Sequence, residues 1–162
     1  MTEALLAALS QRLGEVLSAR GWLLATAESC TGGWIAEAVT ATAGSSGWFD
    51  RGFVTYSNEA KMEMLGVGAD TLARHGAVSE AAVREMVAGA LARSRAQVAV
   101  AVSGVAGPSG GSATKPVGMV CLAWAVAGEA PRVITRRFDG DREAVRRQTV
   151  ECALQELIAI AG

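Results

Sequence analysis

At 162 residues, 51% hydrophobic and 19% charged, the chain is long enough to close one core without disulfides or a structural metal, and too apolar to stay disordered. Fifteen Lys and Arg against sixteen Asp and Glu leave a net charge of −1, so no general electrostatic pull toward nucleic acid or anionic lipid operates. No apolar run approaches the roughly 20 residues that span a bilayer.

The elements follow from hydrophobic spacing and turn chemistry. Residues 3–20 place Leu5, Leu6, Leu9, Leu13, Val16 and Leu17 on one helical face, and Gly21 stops that helix. Residues 22–27 form a short apolar run, read as a buried strand. A polar turn over 28–33 feeds a helix over 34–43, which Gly44-Ser45-Ser46-Gly47 breaks. Residues 52–57 read as a second strand, and Asn58 is placed to cap a helix over 59–65. Arg74-His75-Gly76 resembles a helix end, and Ser79 starts a helix running to about residue 93. Residues 97–103 are the plainest strand. A Gly/Pro/Ser-rich loop over 104–116 leads to strands at 117–126 and 132–138, and a last helix spans 141–160. Helices alternate with strands early and two strands adjoin late. The expected fold is therefore a three-layer α/β/α single domain over 1–162, with a mixed central sheet.

Thirty-two alanines and nineteen glycines allow elements to approach closely. Cys30, Cys121 and Cys152 are odd in number and widely spaced, as reduced thiols are. Glu3 sits in an N-terminus without a basic leader region. Together these predict a cytoplasmic protein.

Three polar turns, 28–33, 44–47 and 103–112, adjoin predicted strands, where α/β sheets gather ligands. The last has neither a dinucleotide fingerprint nor a P-loop. Bases are scarce, since thirteen of the fifteen cationic residues are Arg, which cannot accept a proton. That leaves Lys61, Lys115 and His75. His75 suits the end of a helix dipole, and no G-x-S-x-G elbow is present. Lys61 follows the strand bearing Tyr56. If burial or a nearby cation such as Arg51 lowers its pKa, it can deprotonate a serine. Otherwise it belongs to a charged surface face with Glu59 and Glu63. Residue types alone leave the serine open among Ser29, Ser45, Ser46 and Ser57.

Ala27-Glu28-Ser29-Cys30-Thr31-Gly32-Gly33, Gly44-Ser45-Ser46-Gly47-Trp48-Phe49, the run from Gly52 to Lys61, His75-Gly76-Ala77-Val78-Ser79-Glu80, Ser103-Gly104-Val105-Ala106-Gly107-Pro108 and Gly140-Asp141-Arg142 with Arg146-Arg147 together resemble the CinA C-terminal domain family. The resemblance covers nearly the whole chain. It implies hydrolysis of the carboxamide of nicotinamide mononucleotide to nicotinate mononucleotide and ammonia, with no metal and no cofactor. It also implies a Ser–Lys pair carried onto Ser46 and Lys61, with Tyr56 close by. Glu28, Ser29, Thr31, Gly32, Gly104, Gly107, Arg142 and Arg146 are then the candidate substrate-binding residues. The expected partner is a small nucleotide, with no nucleic acid and no membrane, and the family likeness points to a homo-oligomer. The extra N-terminal domain of longer members is expected to be absent. The rival readings are a catalytically silent nucleotide- or partner-binding module of the competence/damage-inducible type, and an amidohydrolase of another small amide.

Overall fold

A computed structural model describes residues 2–162. In chain order the helices are α1 (Thr2–Arg20), α2 (Trp34–Thr40), α3 (Asn58–Leu65), α4 (Ala69–His75), α5 (Glu80–Ala92) and α6 (Arg142–Ala161). The strands are β1 (Leu24–Glu28), β2 (Phe49–Val54), β3 (Val98–Gly104), β4 (Met119–Val126) and β5 (Arg132–Arg137). They form one sheet in the order β2-β1-β3-β4-β5. β2, β1 and β3 run parallel, while β4 and β5 are antiparallel to their neighbours. The sheet is mixed and covered on both faces, as the alternation of elements predicts. Among the described residues no helix is long and apolar enough to cross a membrane.

Strand alternation gives the two faces different textures. Leu24, Val98, Val100, Val102, Leu122 and Trp124 point to one face, where α1, α2 and α6 pack on large side chains. The indole of Trp124 donates to the carbonyl of Ala153 on α6 at 3.2 Å, so this buried donor is satisfied. Ala25, Ala27, Ala99, Ala101, Ala123 and Ala125 point to the other face. These small residues let α5 lie close to the sheet, burying Val83, Met86 and Val87. Six of the thirty-two alanines serve this approach.

α5 in turn supports α3, which carries Lys61. Where the two helices cross, a Cβ on Gly89 would lie 1.9 Å from the carbonyl oxygen of Leu65. Gly89→Ala gains about 1 kcal/mol of helix propensity but collides with backbone that cannot rotate away. A net loss of about 3 kcal/mol is expected, read as a lower midpoint in denaturant unfolding.

Several boundaries differ from the sequence reading. β2 begins three residues earlier than predicted and ends at Val54, because its partner β1 ends at Glu28. The last bond of that ladder is Thr55 N–H to the Glu28 carbonyl, 2.8 Å. The chain then turns, and Ser57, not Asn58, caps α3, its Oγ accepting from the Ala60 N–H at 3.0 Å. β4 begins at Met119, two residues late, because the Pro116–Gly118 turn precedes it, with Gly118 at a positive φ of 93°.

Candidate active site

After β1 the chain turns toward β2, and after β3 it turns toward β4. The loops leaving these adjacent parallel strands therefore diverge and leave a crevice at the strands' C-terminal ends. A cleft of about 380 Å³ lies there, within the usual size of small-molecule sites. Ser29 and Cys30 form one wall and residues 103–110 another. Tyr56, Lys61, Ala77, Val78 and Arg142 complete it.

Lys61 reaches this cleft from inside the protein. It lies four residues before Leu65, so both point inward from α3, and Lys61 is only 1% exposed. Its Nζ lies 2.9 Å from Ser29 Oγ, 2.8 Å from the Thr55 carbonyl and 3.3 Å from the Tyr56 carbonyl. No carboxylate pairs with it among the described residues. Burial therefore holds its pKa below the ordinary lysine value of 10.5; the opposing influence is the sulfur of Cys30. That sulfur stays a neutral thiol, since burial pushes Cys30 up to about 12. The two carbonyls can only accept. Whenever the amine is neutral, they fix two of its N–H bonds and leave its lone pair for the Ser29 hydroxyl. Arg51 plays no part, being paired with Asp50 and bonded to the Arg93 carbonyl elsewhere.

The turn that presents Ser29 is held from below. Glu28 is fully buried, and its carboxylate accepts from Thr31 Oγ1 at 2.5 Å and from the Ile35 and Ala36 N–H groups at 2.8 and 3.0 Å. These contacts tie the turn to the start of α2, where a negative charge is favoured. From α6, Arg146 donates to the carbonyls of Cys30 and Thr31, both at 3.0 Å, and lies over the Trp34 ring. Gly32 sits at φ 58°, within the turn.

The chain gives a match to the CinA C-terminal domain model over residues 6–161. It belongs to the CinA C-terminal domain family. It is 59% identical over 160 residues to the Escherichia coli (strain K12) protein named nicotinamide-nucleotide amidohydrolase PncC, covering 97% of this chain and 95% of that one. It is 56% identical to the Pseudomonas putida protein of the same name, over 94% of each chain. The crystal structure of the competence/damage inducible protein CihA from Agrobacterium tumefaciens superposes with a TM-score of 0.94 at 49% identity, covering 98% of this chain and 96% of that one.

Of the residues singled out from sequence and family likeness, Ser29, Tyr56, Lys61, Gly104, Gly107 and Arg142 line the cleft. Glu28, Thr31, Gly32 and Arg146 do not. The side chains of Glu28, Thr31 and Arg146 are engaged in building the turn, so these residues position Ser29. Ser46 is not brought to Lys61. It is exposed on the turn Ser45–Gly47 before β2, while Lys61 follows the far end of that six-residue strand, roughly 20 Å away at about 3.3 Å per residue. Tyr56 approaches Lys61 through its carbonyl only. The residue is 62% exposed, and its hydroxyl accepts from Arg142 at 3.2 Å. Gly104 is needed for strand packing, since a Cβ there would lie 2.6 Å from Val120 Cγ2. Ser103, which the sequence reading passed over, lines the cleft beside Ser29. Its signal was available: both serines directly follow buried strand residues of the same alternation phase.

Proposed function

We propose that the chain hydrolyses the carboxamide of nicotinamide mononucleotide, releasing ammonia and nicotinate mononucleotide, with Ser29 as nucleophile and Lys61 as its base. The contact between the buried Lys61 amine and Ser29 Oγ, at 2.9 Å inside the cleft, carries this reading. The names of relatives at 56–59% identity supply the substrate.

Neutral Lys61 accepts the Ser29 proton as Oγ bonds to the carboxamide carbon, and the C=O π pair moves to oxygen. The N–H groups of Cys30 and Thr31 make no backbone–backbone hydrogen bond among the described residues, and they are suited to receive that oxyanion. Lys61 then gives its proton to the amide nitrogen, and the C–N bond breaks to release ammonia. Water attacks the Ser29 ester with neutral Lys61 as base. Ser29 recovers its proton, and the carboxylate leaves.

Arg142 lies at the rim, its guanidinium donating to the Gly107 carbonyl at 2.8 Å and to Tyr56 Oη. Remaining N–H groups are free for the phosphate. Ammonia release from the mononucleotide and from nicotinamide riboside tests the assignment. The wild type is expected to favour the phosphorylated compound. Arg142→Ala should raise KM for the mononucleotide about 10- to 100-fold, change kcat little and flatten the preference. A wild type that releases no ammonia from either compound would end the assignment.

A further inference from the structure

The Ser103 side chain is 1% exposed, lines the cleft and has no hydrogen-bond partner among the described residues. Among the described residues, the side-chain atoms fully shut off from solvent without a partner are Thr26 Oγ1 and Arg147 Nε. Ser103 Oγ is not one of them, so its residual access is to the cleft. Sheet register fixes what it stands beside. Glu28 pairs with Val102, and the Ser29 N–H donates to the Val102 carbonyl at 3.1 Å. Ser29 and Ser103 are therefore the next residues along adjacent parallel strands. Alternation directs Ser103 to the face of Ala99 and Ala101, the one that α3 and its Lys61 cover.

A hydroxyl buried without a partner is retained at a cost unless a ligand supplies the missing bond. The chemistry around it says which bond. A carboxamide presents one carbonyl oxygen, which needs donors, and two N–H bonds, which need acceptors. Donors are plentiful at Ser29: the Cys30 and Thr31 N–H groups, and Lys61 once it has taken the Ser29 proton. Acceptors are not. The Thr55 and Tyr56 carbonyls already take Lys61, Tyr56 Oη takes Arg142, and the Cys30 thiol is a weak acceptor. Resting on the amidohydrolase reading above, we infer that Ser103 Oγ accepts an N–H of the scissile carboxamide. This holds the nitrogen toward Lys61 and the carbonyl oxygen toward the turn after Ser29. Ser103 thereby decides which end of the amide becomes the oxyanion and which end leaves.

The test compares wild type, Ser103→Ala and Ser103→Thr on two compounds. One is nicotinamide mononucleotide. The other is its acetylpyridine analogue, in which a methyl group replaces the amide nitrogen, used as a competitive inhibitor. The same face of β3 already carries Ala99 and Ala101, so alanine at 103 leaves the strand intact. Ser103→Ala is expected to lose about 10- to 100-fold in kcat/KM for the amide. Its Ki for the analogue, which has no N–H to hold, should stay within about twofold of wild type. Ser103→Thr keeps a hydroxyl and should retain most of the activity. Unchanged kcat/KM in Ser103→Ala overturns the inference while leaving the amidohydrolase reading intact. So does a Ki that rises in step with the loss, which would mean the hydroxyl serves the carbonyl or the pocket shape. A wild type inert toward the mononucleotide overturns both.

Discussion

Ser29→Ala is expected to reduce ammonia release from nicotinamide mononucleotide by about 10⁴-fold or more, while Ser46→Ala stays within about twofold of wild type. The contrast follows from position. Ser29 Oγ lies 2.9 Å from the one buried amine of the cleft, whereas Ser46 is solvent-exposed at the opposite end of β2. Removing one oxygen from a side chain that is 8% exposed leaves no large cavity, so the circular dichroism spectrum and unfolding midpoint should barely move. A second readout identifies the nucleophile directly. Acid quenching during turnover should trap the nicotinoyl ester of the nucleotide on the peptide containing Ser29. An ester recovered on a peptide containing Ser46 would refute the assignment.

Lys61→Met should cost about 10³-fold or more in kcat/KM, and Lys61→Arg should not rescue it, since a guanidinium retains its protons throughout the working range. In the wild type kcat/KM is expected to rise with pH and level off at an apparent pKa below 10.5, the direction in which burial moves Lys61. The linked effect on stability has a definite sign. Because the folded-state value is depressed, the unfolded chain binds more protons between that value and 10.5. The contribution of Lys61 to folding therefore improves as pH rises through this window. Measured across it, the unfolding free energy of wild type minus that of Lys61→Met should increase. A flat difference, with a rate profile that levels off at or above the ordinary lysine value, would mean the amine is solvated.

Much of the architecture was legible because it depends on short-range rules. The leucine spacing of residues 3–20, the apolar run 97–103 and the order of helices and strands are enough for a mixed sheet with two helical layers. Scarcity of bases was legible too, since arginine cannot serve. It narrows the candidate bases to Lys61, Lys115 and His75. Even the burial of Lys61 had a sequence signature in Leu65 four residues on, though Glu59 and Glu63 pointed more strongly to a charged face.

Which serine meets that lysine was another matter. Ser29, Ser45, Ser46 and Ser57 are all short, polar and near turns, and chain proximity favours Ser57 and Ser46. Ser57 spends its hydroxyl capping α3, and Ser46 is carried away by the length of β2. Ser29, thirty-two residues before Lys61, arrives because β1 and β2 are parallel neighbours, so their C-terminal ends coincide. Local spacing thus determined the elements and the available chemistry. Strand order and register, set by packing between residues far apart in the chain, decided which groups could react with one another, since proton transfer depends on contact in space.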